Sequence, residues 1–441
     1  MRIAALTVLL SLAALAQDLA SKADEYIEAH KKNGQFQGSV LVAKDGKVLV
    51  SKGYGMANIE HDIANTPDTK FRLGSITKQF TAMAILQLAE RGKLTLEDTA
   101  RKYVPDAHQD WEKVRVRHLL THSSGIPSFT SFPDYGKFKW QPAKAAEILA
   151  RFKDKALEFE PGDQFRYNNS GYYLLGYIVE KASGKSYEAY VGENIFAPLG
   201  MKDSGYDSLA IIKNRASGYS PSPNGPRNTD FIHMTIPGGA GALYSTVQDL
   251  YKWDQALYTD KLVSKAMIEA MFRPNKGDYG YGWMIKPHLN RTRIAHGGGI
   301  EGFNTMISRY PAEKLVVVVL SNINTSATGR MADDLAAMAL GESYQIPKMR
   351  TAIQLEPKAL AAYPGKYELS PQFALTITLE DGRLMSQATN QPKVEVFAEA
   401  ADKFFLKVVD AQLTFSRDEA GKVKGLTLHQ NGRDMPGKRV E

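Results

Sequence analysis

The chain is predicted to fold as α+β: an antiparallel sheet flanked by helices, with an all-helical region beside it, followed by a small all-β barrel. Three features predict this. Within residues 17–345, strand-like segments lie towards both ends and helical ones collect between them, which suits one antiparallel sheet built from both termini of a domain. The segment Thr81–Ala89 is apolar or small on nearly every side, as in a helix buried at the centre of a large domain. Beyond residue 357 the pattern changes to about eight short strands at regular spacing, which signals a small barrel or sandwich.

Taken in order, Arg2, the apolar run Ile3–Leu15 and the small residues of Ala14-Leu15-Ala16 read as a secretory signal peptide over 1–16. The run is too short for a membrane span, which needs about 20 apolar residues, so an exported protein, periplasmic or secreted, is expected. Residues 18–34 place Leu19, Ala23, Tyr26 and Ile27 on one helical face. Gly38–Lys44 and Lys47–Gly53 alternate as strands around Asp45-Gly46, a strong hairpin signal. The buried helix starts near Ser75 and meets its stop signals at Arg91 and Gly92.

Further helices are read over Ala143–Phe152 and from Ser170 to Gly184. Pro237-Gly238-Gly239-Ala240-Gly241-Ala242 reads as a flexible approach to a helix capped by Ser245, with Gln248 at capping-box spacing. Four strands follow around Tyr279–Ile285, Ile294–Gly299, Gly302–Tyr310 and Leu315–Ser321, then a helix over Met331–Leu340. A linker over 346–357 leads to a second domain at 358–441, with turns at Asp381-Gly382, Ala420-Gly421 and Asn431-Gly432.

Composition narrows the function. With 441 residues, 43% of them hydrophobic, the chain can bury a large core. It has no cysteine, hence no disulfide, no thiolate nucleophile and no Cys-based metal site. The formal charge of +7 is a mild excess of 55 basic over 48 acidic residues, without the basic run that would predict a nucleic-acid partner. Gly-x-Ser-x-Gly, Walker A and His-Glu-x-x-His patterns are all missing. Gly297-Gly298-Gly299-Ile300-Glu301-Gly302 has the dinucleotide-loop spacing but precedes a strand-like run, Phe303–Arg309, instead of a helix. His118 and His122 are four apart, in a run that reads as packing and loop punctuation, so neither metal nor cofactor is predicted.

What remains is Ser75-x-x-Lys78. One turn apart at a helix start, the two side chains share a face, and a serine whose proton can pass to a neighbouring amine is an activated nucleophile. Alone, the spacing recurs by chance, and serine at a helix start is usually only a cap. Here it is followed, in order, by Tyr167-Asn168-Asn169 and His296-Gly297-Gly298, with the supporting phrases Leu119–Pro127, Pro198–Met201 and Tyr281-Gly282-Trp283.

With these residues the chain, from about Asp18 to about residue 340, resembles the serine β-lactamase and penicillin-binding-protein family. The likeness is to its class C-like branch of β-lactamases, DD-peptidases, D-aminopeptidases and esterases. The last domain is similar to the lipocalin-like extensions of some members. The resemblance implies a β-lactamase/transpeptidase-like fold and a cofactor-free acyl-enzyme on Ser75, with Lys78 or Tyr167 as the base. It further implies that Asn169 holds Lys78 and the acyl side chain. Backbone N–H groups of Ser75 and of Gly299, just after Gly298, would form the oxyanion hole, and His296 would assist from the strand facing Ser75. Small amides or esters, cell-wall peptides among them, are the implied substrates.

One departure bears on substrate. Efficient β-lactamases carry Lys-Thr-Gly or Lys-Ser-Gly where this chain has His296-Gly297-Gly298. Histidine, with an ordinary pKa of about 6.5, is mostly neutral near pH 7, and Gly297 has no hydroxyl. The usual partners of a substrate carboxylate are therefore weakened, which favours a peptidase or esterase; a β-lactamase or a weakly catalytic penicillin-binding sensor is the alternative.

Overall fold

The computed structural model describes residues 18–222, 225–347, 350–391, 393–407, 411–430 and 433–440; the signal peptide read over 1–16 and the Asn431-Gly432 turn lie outside them. A six-stranded antiparallel sheet organises the first part of the chain. It is built from β1 (Gly38–Lys44), β2 (Lys47–Tyr54), β3 (Met284–His288), β4 (Arg291–Ile300), β5 (Phe303–Tyr310) and β6 (Leu315–Ser321), in the order β3-β4-β5-β6-β1-β2. The two ends of the domain meet where β1 pairs β6, with Leu41 opposite Val318. Asp45 and Gly46, at φ of 50° and 75°, form the two-residue turn between β1 and β2.

Both faces of this sheet are covered, which explains the unbroken apolar run of β6. Leu315, Val317 and Val319 pack with Val40 and Val42 against α1 (18–32) and α5 (Ala327–Leu340). Val316, Val318 and Leu320 point the other way, with Leu41 and Ala43, into the core shared with the helical region. Helices α2 (Thr77–Glu90), α3 (Asn169–Ser183) and α4 (Val247–Ala256) lie on that side. Arg309 of β5 and Asp254 of α4 form a buried ion pair at 2.7 Å, the guanidinium lying 4.6 Å from the Tyr258 ring centroid.

Helix α2 is the centre of this core. Twelve of its fourteen residues are buried, and Phe80 packs on Trp253 at 4.5 Å between ring centroids. The oxygen of its buried Gln79 is paired with Trp253, whose Nε1–H donates to Gln79 Oε1 at 2.9 Å. Helix α2 begins at Thr77, and Ser75 sits at its mouth, in the 3-10 turn Gly74–Ile76 that leads into it. Two sequence expectations are corrected here. The cap of α4 is Thr246, whose side chain accepts from Asp249 N–H at 3.1 Å, because Ser245 Oγ is taken by Ser204 Oγ at 2.7 Å. The glycine-rich stretch before it is a buried 3-10 turn, Gly238–Ala240, rather than a flexible approach. Gly239 comes so close to α3 that a Cβ would meet Tyr172 O at 2.9 Å, and this contact holds the turn against the helix.

The C-terminal part is a closed antiparallel barrel of eight strands, from Gly365–Ser370 to Arg433–Arg439, shut by pairing Tyr367 with Arg439 and Glu368 with Lys438. Eight strands leave an interior that side chains can fill. Tyr363 lies 4.8 Å from both Phe404 and Phe415 between ring centroids, and Tyr367 Oη–H donates to Tyr363 O at 2.7 Å.

Candidate active site

Three elements converge on Ser75. The turn before α2 carries Ser75 itself and the first turn of α2 carries Lys78. The start of α3 carries Asn169, with Tyr167 just before it. Asn168 fixes that start as a cap, its Oδ1 accepting from Gly171 N–H at 2.8 Å. Strand β4 closes the third side: positions 296–300 have no β3 partner and instead run along the Gly74–Ile76 turn.

Lys78 is fully buried, and its Nζ lies 3.0 Å from Ser75 Oγ, 2.9 Å from Asn169 Oδ1 and 2.9 Å from Ala240 O. Among the described residues no carboxylate pairs with it, and the rings of Tyr167 and Tyr172 lie 4.8 and 5.6 Å away. Burial pushes its pKa well below the usual 10.5, since an unpaired charge there is costly. The partners suit the neutral amine. Asn169 Oδ1 and Ala240 O are pure acceptors and take its two N–H bonds, which leaves the lone pair facing the Ser75 hydroxyl. Asn169 Nδ2 donates to Thr130 Oγ1 at 3.0 Å, consistent with the amide oxygen facing the amine.

The Tyr167 hydroxyl faces Ser75. Burial raises its pKa, which the neighbouring Ser75 hydroxyl opposes, so the phenol stays protonated at neutral pH. The residue as a whole is 38% exposed, and solvent on that side moderates the rise without reversing it. Behind it stands a packed group of rings: His122 lies 4.3 Å from Tyr167, 5.0 Å from Tyr172 and 4.6 Å from Tyr279 between centroids. His122 Nδ1 also accepts from Asn168 N–H at 3.0 Å, so this histidine braces the Tyr167–Asn169 segment.

His296 and Gly298 are placed differently from expectation. His296 Nδ1–H donates to Gly297 O at 2.6 Å and its Nε2 accepts from Tyr279 Oη at 2.9 Å, so neither nitrogen remains for a substrate. It supports Tyr167 from behind, at 6.0 Å between centroids. Gly298 is pressed against the chain before Ser75, where a Cβ would lie 1.9 Å from Leu73 O; the position holds β4 against the turn and offers the cleft nothing. Gly299 does line the cleft, and a Cβ built on Gly74 would lie 2.9 Å from Gly299 N. The backbone amides at Ser75 and Gly299 thus border one cavity of about 400 Å³, which Thr130, Tyr135, Asn169 and Glu301 also line.

Burial, opposed by the bond to Gly297 O, holds the His296 pKa down at about 3. Between the ordinary 6.5 and about 3 the unfolded chain binds a proton that the folded site rejects, so the folded state loses stability as pH falls. The slope is about 1.4 kcal/mol per pH unit from this group. Urea unfolding of His296→Gln across this window is expected to lose about one proton's worth of that slope, while a slope equal to the parent's would show that the imidazole titrates normally when folded.

The motifs did not reach Ala240, Thr130 or Tyr279, and His122, inside the phrase Leu119–Pro127, was read only as packing and loop punctuation. Ala240 contributes a backbone carbonyl, which leaves no side-chain trace; the signal that existed was the glycine run that lets its turn approach α3.

Fold and site together define a serine acyl-enzyme class, and the chain belongs to the beta-lactamase family: the model described as Beta-lactamase matches residues 23–342. A second model, described as Domain of unknown function (DUF3471), matches residues 349–439. A penicillin-binding protein of Bacillus subtilis (strain 168) is 30% identical over 441 residues, covering 92% of this chain and 96% of its own length. The octameric penicillin-binding protein homologue from Pyrococcus abyssi aligns with a TM-score of 0.68 at 28% identity, covering 95% of this chain and 99% of that one. The D-amino acid amidase from Ochrobactrum anthropi SV3 shares the fold, with a TM-score of 0.63 at 24% identity over 75% of this chain and 99% of its own. Among the described residues no helix is long and apolar enough to cross a membrane.

Proposed function

We propose that the protein is an exported serine hydrolase that cleaves small amides or esters through an acyl-enzyme on Ser75. The observation that carries this reading is the buried Lys78, which has no carboxylate partner among the described residues and whose Nζ, held by Asn169 Oδ1 and Ala240 O, lies 3.0 Å from Ser75 Oγ. Lys78 takes the Ser75 proton as Oγ attacks the carbonyl carbon. The N–H groups of Ser75 and Gly299 receive the oxyanion; such a donor is worth about 3 kcal/mol. Tyr167, a protonated phenol facing Ser75, passes a proton to the leaving group and is refilled from Lys78. Water then repeats the sequence on the acyl-enzyme, with Asn169 keeping Lys78 in place. Export rests on the leader at residues 1–16.

Peptidase or esterase use is favoured over β-lactamase use. With its pKa at about 3, His296 carries no charge at neutral pH, and Gly297 has no hydroxyl, so the usual partners of a β-lactam carboxylate are missing from this strand. The D-amino acid amidase that shares the fold makes D-amino-acid amides the first substrates to try. Incubation with p-nitrophenyl esters, D-amino-acid amides and a penicillin, followed by intact-mass and peptide mapping, is expected to trap an acyl adduct on the peptide bearing Ser75. Turnover is expected with esters or amides. An adduct on another residue, or hydrolysis with no Ser75 adduct under rapid quench, would sink the proposal.

A further inference from the structure

Glu301, which lines the cavity beside Ser75, belongs to an ion pair. Lys139 Nζ donates to Glu301 Oε1 at 2.7 Å, and the two side chains are only 13% and 17% exposed. Glu301 lies in the turn from β4 to β5, two residues past Gly299, and Lys139 follows the short helix Tyr135–Phe138, whose Tyr135 lines the same cavity. Both ends are held. Asn324 Oδ1 accepts from Gly302 N–H at 2.5 Å and its Nδ2 donates to Ile300 O at 3.0 Å, which fixes the hairpin tip. Across the cleft, Lys139 O accepts from His233 N–H at 2.9 Å, and the Arg151 guanidinium, paired with Asp134, sits 4.0 Å from the Phe138 ring centroid.

The position of Tyr167 says which half of a substrate meets this pair. Tyr167 supplies the leaving-group proton, yet it lies outside the lining of the cavity. The leaving group therefore departs on the Tyr167 side, and the acyl group occupies the cavity. Thr130, Asn169 and Asn324 give that space polar contacts, while Phe129, Tyr135, Ile232 and Ile300 give it an apolar part. An acyl chain that outgrows it runs into a net-neutral, part-buried ion pair whose two ends are anchored, and it must separate the charges to pass.

We propose that the Lys139–Glu301 pair is the end wall of the acyl pocket and sets the longest uncharged acyl group the enzyme accepts. This rests on the reading of Ser75 as nucleophile and narrows its substrate class. The test uses the full chain and p-nitrophenyl esters of straight-chain acids from acetate to decanoate. Lys139→Ala and Glu301→Ala are each expected to raise the ratio of kcat/KM for decanoate over butyrate at least tenfold. The exchange Lys139→Glu with Glu301→Lys, which remakes the pair with reversed polarity, is expected to return the ratio towards the parent value. Should Lys139→Ala fail to fold, as judged by circular dichroism, Glu301→Ala carries the same expectation. A ratio that stays at the parent value in the folded single variants, or one that the exchange leaves raised, overturns the wall. Ser75→Ala separates the two readings: if it still hydrolyses the series, the nucleophile assignment is what fails.

Discussion

Replacing Ser75 or Lys78 by alanine, singly or together, is expected to lower kcat/KM on p-nitrophenyl esters by the same factor, about four to six orders of magnitude. The equality matters as much as the size. A hydroxyl without the amine keeps its proton, and an amine without the hydroxyl has nothing to activate, so the second substitution removes nothing that the first left working. Lys78→Arg is expected to be as inactive as Lys78→Ala, because a guanidinium stays protonated and offers no lone pair to Ser75. The pH profile follows from the same burial. The amine works unprotonated, so kcat/KM is present above its depressed pKa and is lost as pH falls through it. Activity within tenfold of the parent in Lys78→Ala would remove the amine from the mechanism.

The residues that the sequence singled out meet in one place because each belongs to a short local pattern at the start of a helix or along one strand. Ser75 and Lys78 are one turn apart, and Tyr167 and Asn169 flank the cap of α3, so the spacing of each pair is visible in a few letters. The sheet was legible for a similar reason: β6 is apolar at every position from Leu315 to Leu320, as burial on both faces requires. What stayed hidden depends on pairs far apart in the chain. Ala240 O reaches Lys78 across 162 positions, and Lys139 meets Glu301 across the same separation, with no local pattern to announce either contact. The His296 expectation missed for a related cause: a strand position shows which way the chain runs, but the buried Tyr279 that takes its Nε2 comes from a loop 17 residues earlier. At the start of α4 the capping-box spacing pointed to Ser245, but the tertiary partner Ser204 takes that hydroxyl and the next residue, Thr246, caps the helix.

Tyr167→Phe is expected to divide substrates by their leaving groups. The phenol is held protonated by burial and faces Ser75, with the Lys78 amine 4.8 Å from its ring centroid, so it is placed to donate a proton to the departing group. An amide nitrogen must be protonated as its bond to carbon breaks, because an amide anion is too basic to leave. A p-nitrophenolate leaves as a stable anion and needs no such help. The variant is therefore expected to lose about two to four orders of magnitude in kcat/KM on D-amino-acid anilides and amides, the range typical of a lost general acid, and about tenfold or less on p-nitrophenyl esters. The substitution keeps an aromatic ring packed on His122, so the fold is expected to hold, with thermal unfolding as the check. If Tyr167 were instead the base that activates Ser75, both substrate classes would fall together, since both need the same attack. Parallel kcat/KM measurements on one acyl group carried by an anilide and by a p-nitrophenyl ester decide between these outcomes. A loss equal on both would return the phenol to the role of base and leave Lys78 as its electrostatic partner.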